Sequence, residues 1–422
     1  MKASRLQVLI KSVLGRGGRR FPRLWRRIAS GVLFAAAVCA MMPLAGSVPA
    51  HAGQGEHVVP DHRGVAVHLP ERIERVVTID DGLIAGVMTV LGVADRIVGL
   101  GSSCIPRHWE FDYPAADGGS FHFRGGMNLL TCLNPGFLTL PLVAQSGTGI
   151  NYEALAALRP DLVLLRVGDC TIGARDEKAE KTIRVIESLG IPLIVLFAPN
   201  TFEQPDLRTL SEEIRIIARA FGKEPEGERL AAVLEHEVEA VRRRTEGIPE
   251  TGRPGVLLFG LSPKARDAGG AGNVRGLGTI DSHLLEVYAG AKNAFREKGA
   301  WYVLSTEQVL ALDPEVIVLI TAYGYHPPQE LYDAPYYRHL KDLKAVRNRR
   351  VLALPWTPCN CDKRLEYPID VMVMAKAAYP ERFEDVDLAE WILDFYQSVY
   401  GVDRETARAL RACQWMEWTE ER

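Results

Sequence analysis

Seven side chains combine types and positions suited to holding a small molecule: Trp109, His122, Arg124, Arg275, Tyr323, Trp356 and Arg364. Aromatic faces cover flat apolar surface, and a guanidinium pairs with carboxylate or other negative charge. Some follow short apolar runs that read as buried strands, and ligands of open α/β sheets sit beyond the carboxyl ends of strands. Others fall in 101–150, a long irregular stretch rich in Gly, Pro and aromatics, and such loops usually carry function or are disordered. A lone His is most often a surface or internally satisfied residue. The ten His are scattered with no His-rich loop, so no metal site is assigned. The chain has no GxxxxGK[ST], HExxH, GxSxG or CxxC motif, and no catalytic residue is assigned.

The elements that must position these residues alternate between strand and helix. The run 75–80 reads as a buried strand entering a turn, with Asp80 or Asp81 capping the helix that follows, and 96–100 reads as the next strand. Helix and strand recur at 151–166 and 177–197. Residues 206–244 are almost wholly helical in pattern and highly charged, broken at Gly222 and Pro225. The part beyond the break has no strand partner nearby, so it reads as a helix joining two domains, or else as an ordinary surface helix. Alternation then resumes, with strands at 255–261, 315–320 and 351–355, a Gly-rich loop at 269–278 and a helix at 280–289. The rhythm predicts an α/β chain with parallel sheets. Its expected divisions are 1–52, 53–222, a linker at 223–250, 251–400 and a peripheral tail at 401–422.

Residues 1–52 hold nine Lys or Arg and no acid, then an apolar run at 28–44 and Ala50-His51-Ala52. This is the pattern of an export signal cleaved before Gly53. The alternative, an uncleaved anchor, is disfavoured because Pro43 interrupts a run short of about 20 residues. Whether export is general or twin-arginine stays open, and the residues before Cys39 make a poor lipidation site. Beyond residue 52 the chain has 41 bases against 53 acids, which argues against nucleic-acid binding. Six cysteines remain there, and outside the cytoplasm disulfides become permissible. Cys359-Asn360-Cys361 suits a disulfide or buried thiols better than a metal.

Residues 152–165 and 306–319 match at an offset of 154: a Glu, an apolar helical face, a Pro, an acid and a buried strand. Glu153 corresponds to Glu307, Pro160 to Pro314 and Asp161 to Glu315. A purely structural reading exists, since acids favour helix starts. One copy in each half nonetheless indicates two similar lobes, with a ligand expected between them.

RVVT at 75–78, LGVADRIVGL at 91–100, NYEALAALRPDLVLL at 151–165, SLGIPLIV at 188–195, LLEVYAGAKNAF at 284–295 and STEQVLALDPEVIVL at 305–319 follow one another in a familiar order. By these segments the chain resembles the substrate-binding proteins of ferric-siderophore, haem and cobalamin ABC importers. The resemblance implies two Rossmann-like lobes joined by a single long linker helix, with small closure motions. It implies capture of an iron chelate or corrinoid and delivery to an ABC permease and its ATPase. It also implies that Glu153 and Glu307 dock onto permease arginines. A receptor for free zinc or manganese, or for an oxyanion, is the alternative, and an exported enzyme ranks below it. The length of 101–150 and the Cys359–Cys361 turn depart from the family pattern.

Overall fold

The computed structural model describes residues 57–145, 149–358 and 363–420. The expected signal sequence, its cleavage point, Cys39, Cys359 and Cys361 lie outside the described residues.

The strands Val76–Ile79, Leu162–Val167 and Leu193–Phe197 are buried at every position. Strands covered on both faces must sit inside a sheet flanked by helices. With Ile97–Leu100 they form a four-stranded parallel sheet in the order Leu193–Phe197, Leu162–Val167, Val76–Ile79, Ile97–Leu100. A second sheet runs Ala300–Leu304, Gly272–Arg275, Gly255–Gly260, Val316–Leu319, Val351–Ala353. Its last three strands are parallel, whereas Gly272–Arg275 and Ala300–Leu304 form an antiparallel ribbon on one edge. The Gly-rich loop expected at 269–278 is therefore partly strand. Glycine there allows close approach: a Cβ on Gly272 would stand 2.5 Å from the Gly260 carbonyl oxygen.

The two sheets define two lobes, and one helix, Glu224–Thr245, links them. Its 22 residues span about 33 Å at 1.5 Å per residue. Leu230, Ala231, Leu234, Val238 and Val241 make its buried stripe. That stripe packs on Arg208–Ala220 of the first lobe and on Tyr367–Ala378 of the second. A single apolar core runs from Leu162 and Leu164 through this helix to Val256, Val316 and Met374. Such continuity resists a wide hinge swing, because opening would expose core surface to water.

The repeat has a structural basis in both lobes. Asn151 caps Tyr152–Ala157 and Ser305 caps Thr306–Leu312, the latter with a full capping box. Arg159 and Asp313, at equivalent positions, both take left-handed backbone with φ 46 and φ 36. The repeated acid then ties the new strand to the start of its neighbour in the parallel sheet. Asp161 accepts from the amides of Glu74 and Arg75, and Glu315 accepts from that of Gly255.

Two expectations change. The stretch 101–150 contains an antiparallel hairpin, His108–Pro114 with Ser120–Met127, and a short helix Leu129–Leu133. The segment read as a peripheral tail is built into the core: Leu410 and Met416 are fully buried, and Cys413 and Trp415 nearly so. Helix Arg404–Cys413 buries Ala407, Leu410, Arg411 and Cys413, and Trp415 and Met416 follow it into the core.

Candidate functional site

The first lobe's strand ends carry three buried carboxylates. Asp80 accepts from the amides of Gly82 and Ile84 at 2.8 and 2.7 Å, which serves the start of helix Leu83–Val90. Asp81 accepts from the Ser102 hydroxyl at 2.9 Å and the Cys170 amide at 2.8 Å, and its own amide donates to Asp169 at 3.0 Å. Burial is the first cause acting on all three and raises their pKa values, that of Asp80 to about 6.

The second lobe answers with cations. Arg364 lies against Gly82, where a Cβ would meet its Nε at 3.3 Å, and it is the principal charge opposing the upward shift of Asp81. Its guanidinium also donates to the Pro358 carbonyl. Arg166 of the first lobe forms a two-pronged pair with Glu213 at 2.6 and 2.8 Å and donates to the Lys363 carbonyl across the lobe boundary. Lys363 is held between Asp281 at 2.5 Å and Asp370 at 2.6 Å, and these carboxylates hold its pKa above the ordinary range against burial. The cavity beside Lys363, Arg364 and Asp370 measures about 20 Å³, room for one water. Arg364 thus seals the lobe junction in this conformation.

Exposed aromatic surface lies at the other end of this charge chain. Arg275, 3.4 Å from Asp281, places its guanidinium 3.7 Å over the Trp301 ring. Trp301 and Tyr323 have ring centroids 5.6 Å apart, and Lys264 Nζ sits 3.9 Å over Tyr323. Trp301 is the extra residue of a β-bulge: Arg275 faces Ala300 and Val274 faces Tyr302, leaving Trp301 unopposed. The Asn273 side-chain Nδ2 donates to its carbonyl at 3.1 Å. Trp301 and Tyr323 are 39% and 55% exposed and hold φ 65 and φ 58. Left-handed backbone costs a bulky residue about 1–3 kcal/mol. Two such residues, one on an edge strand and one in the loop after Val316–Leu319, meet ring to ring beside two cations. The two ring planes are inclined by 46°, so this platform suits a flat ligand that stacks on one ring and sets its edge against the other, with positive charge alongside.

The sequence-predicted residues fall into three places. Arg275 and Tyr323 meet at this platform through Trp301, which sequence reasoning missed; its only signal was the aromatic pair Trp301-Tyr302 on an edge strand. Arg364 lies at the lobe junction. Trp109 and Trp356 join an aromatic cluster with Phe111, Phe123, Tyr325 and Trp415, where Trp356 is 1% exposed. His122 and Arg124 lie on the hairpin's exposed side and pair with Asp112 at 2.6 and 2.8 Å. Buried His326 is satisfied by Glu330 at 2.9 Å and the Ala322 carbonyl at 3.1 Å. Glu153 and Glu307 are exposed in the first turns of equivalent helices. Among the described residues, no group of three or more His, Cys, Asp or Glu is arranged to hold a metal ion.

Two lobes around a linker helix, with charged groups and aromatics at the strand ends, frame the comparison with known proteins. The sequence profile of the family described as "Periplasmic binding protein" matches residues 81–357. The chain belongs to that family. It is similar to the molybdate-binding protein MolA of Haemophilus influenzae, at 24% identity over 84% of this chain and 94% of the relative. It is also similar to the vitamin B12-binding protein of Salmonella typhimurium, at 29% identity over 42% of this chain and 57% of the relative. In fold it resembles a periplasmic solute-binding protein from Veillonella parvula, with TM-score 0.65 and 19% identity over 86% of this chain and 98% of that one. As a periplasmic binding protein it is an exported solute receptor of an ABC transporter, working with a permease and its ATPase, and not an enzyme.

Proposed function

We propose that this receptor captures an anionic metal chelate, of the ferric-siderophore type, or a corrinoid, and delivers it to its ABC permease. The observation that carries this reading is the bulged Trp301 set against Tyr323, with Arg275 and Lys264 above the two rings. A conjugated ligand face would stack on one ring with its edge against the other, while Lys264 meets its charge and Arg275 holds Trp301 in place. Arg364, behind the junction, would then act in closing the lobes. Glu153 and Glu307, exposed on matching helices, would dock onto permease arginines, where charge pairs govern orientation and encounter rate.

A second reading has one observation in its favour. The molybdate-binding relative spans 84% of this chain, whereas the vitamin B12-binding relative spans 42%. That favours an oxyanion, held by cations with no use for the rings. Titration of the purified protein by tryptophan fluorescence separates the two. Saturable one-to-one binding of a ferric siderophore or cobalamin, weakened about tenfold or more by Trp301→Ala, supports the chelate reading. Binding of molybdate alone, insensitive to Trp301→Ala, supports the oxyanion.

A further inference from the structure

Four cysteines among the described residues divide into two kinds. Cys104 and Cys170 are disulfide-bonded, so part of this chain is already oxidised. Cys132 and Cys413 are free thiols. They come from distant parts of the sequence: Cys132 from helix Leu129–Leu133, behind the hairpin of the first lobe, and Cys413 from the last turn of Arg404–Cys413. The two helices pack together, and both cysteines belong to the same apolar core. Cys413 is buried and Cys132 half-buried. Cys413 Sγ donates to the Leu410 carbonyl at 3.1 Å, and the Cys132 thiol lies within its interaction reach.

We propose that Cys132 and Cys413 are oxidised to a disulfide after export, stapling the C-terminal segment onto the first lobe. Their side chains already lie within reach of one another, and neither is required by the solute site. Cys132 has the solvent access to start the reaction. The neighbouring Cys413 thiol lowers its pKa to about 7, which raises its thiolate fraction. The Cys132 thiolate attacks the S–S bond of an external disulfide, either a protein disulfide carrier or oxidised glutathione, and expels one thiolate. Cys413 loses its proton and attacks Cys132 Sγ in the mixed disulfide, expelling the second. Two protein thiols lose two protons and two electrons, and the oxidant's disulfide becomes two thiols.

The location gives the bond a mechanical consequence. Cys413 leads directly into Gln414 and Trp415. The Gln414 carbonyl accepts from the Trp356 amide at 3.0 Å, and Trp415 Nε1 donates to the Arg124 carbonyl at 2.9 Å. The Trp415 ring lies 4.8 Å from Trp356 of the second lobe and 5.6 Å from Phe111 of the hairpin. The C-terminal segment is thus the plug on which hairpin and second lobe meet. A Cys132–Cys413 bond fixes that plug to the first lobe.

The test starts with full-length chain purified reduced, then exposed in its folded state to oxidised glutathione. It is unfolded, alkylated with iodoacetamide and digested without reductant for mass spectrometry. The expected result is a linked peptide pair containing Cys132 and Cys413. The oxidised unaltered protein should also melt about 5 °C above oxidised Cys132→Ser, the bonds of Cys104 and Cys170 being re-formed in both. Cys132 is half-exposed in a short helix, so that variant should fold; should it fail, peptide mapping of the unaltered protein decides alone. Alkylation of both residues after oxidation, or a bond from either to another cysteine, overturns the proposal.

Discussion

The chain contains two groups of aromatic rings that look alike in composition and behave oppositely. Around Trp356, six rings from the hairpin, the second lobe and the C-terminal segment bury one another. The Tyr113 and Tyr325 hydroxyls and the Trp415 indole each find a backbone carbonyl. Around Trp301, two rings stay about half exposed, on strained backbone, with cations over their faces. The first group has what a core requires, burial and edge-to-face geometry, with the indole N–H groups of Trp109 and Trp356 buried without a partner. The second has what a core avoids. Holding large rings in left-handed backbone at the surface works against stability, and strain of that kind concentrates at functional positions.

The sharpest break between the two groups should come from Trp356→Ala. Removing a fully buried ring leaves a cavity, and the loss should be about 3–5 kcal/mol in denaturant unfolding. Trp301→Gly should behave differently, changing stability by no more than about 1 kcal/mol because relief of backbone strain offsets the lost cation–ring contact. A loss at Trp301 as large as at Trp356 would erase the distinction.

The lobe junction gives a second contrast, through pH. Asp80 has a folded pKa of about 6 because burial disfavours its charge, whereas the unfolded carboxyl titrates near 4. Between these values the folded state binds more protons than the unfolded one, so stability falls as pH rises from about 4 to 6. Asp81 and Asp169 act in the same direction. Asp80→Asn should remove part of that fall, on the order of 3 kcal/mol, measured as unfolding free energy at pH 4 and pH 7. Against the upward push of burial, Lys363 and Arg275 hold Asp281, the buried carboxylate behind the platform, below the ordinary range, so Trp301→Gly should leave the profile between pH 4 and 7 nearly unchanged.

The smallest expected effect is at the equivalent helices. Replacing Glu153 and Glu307 together with Ala should change stability and ligand affinity by less than about 1 kcal/mol each, since both side chains are exposed. Transport in permease-containing vesicles should nonetheless drop several-fold. A comparable drop in affinity would remove the docking role.

Much of the architecture was legible in the sequence because buried parallel strands read as unbroken apolar runs. Val76–Ile79, Leu162–Val167 and Leu193–Phe197 are of this kind, and the Pro160 and Pro314 stops mark where each repeated strand begins. The hairpin was harder to see. Its inward Trp109, Phe111 and Tyr113 alternate with Glu110 and Asp112, but Pro and Gly around it disguised the period of two. The C-terminal helix looked peripheral because its charged face dominates its composition. At the site, residue type alone could not separate Trp356 from Trp301, since what distinguishes them is burial and backbone strain. Arg275 and Tyr323 were found from strand ends. The bulge that brings Trp301 between them arises from the register of an antiparallel ribbon that the glycines of 269–278 concealed.

The most direct measurement is a ligand titration of the unaltered protein beside Trp301→Ala and His122→Ala, using ferric siderophores, cobalamins and molybdate. The account predicts that one chelate or corrinoid binds one-to-one, that Trp301→Ala raises its Kd at least tenfold, and that His122→Ala leaves it within about twofold. Unchanged chelate affinity in Trp301→Ala, or tight binding of molybdate with no response to either substitution, would contradict it.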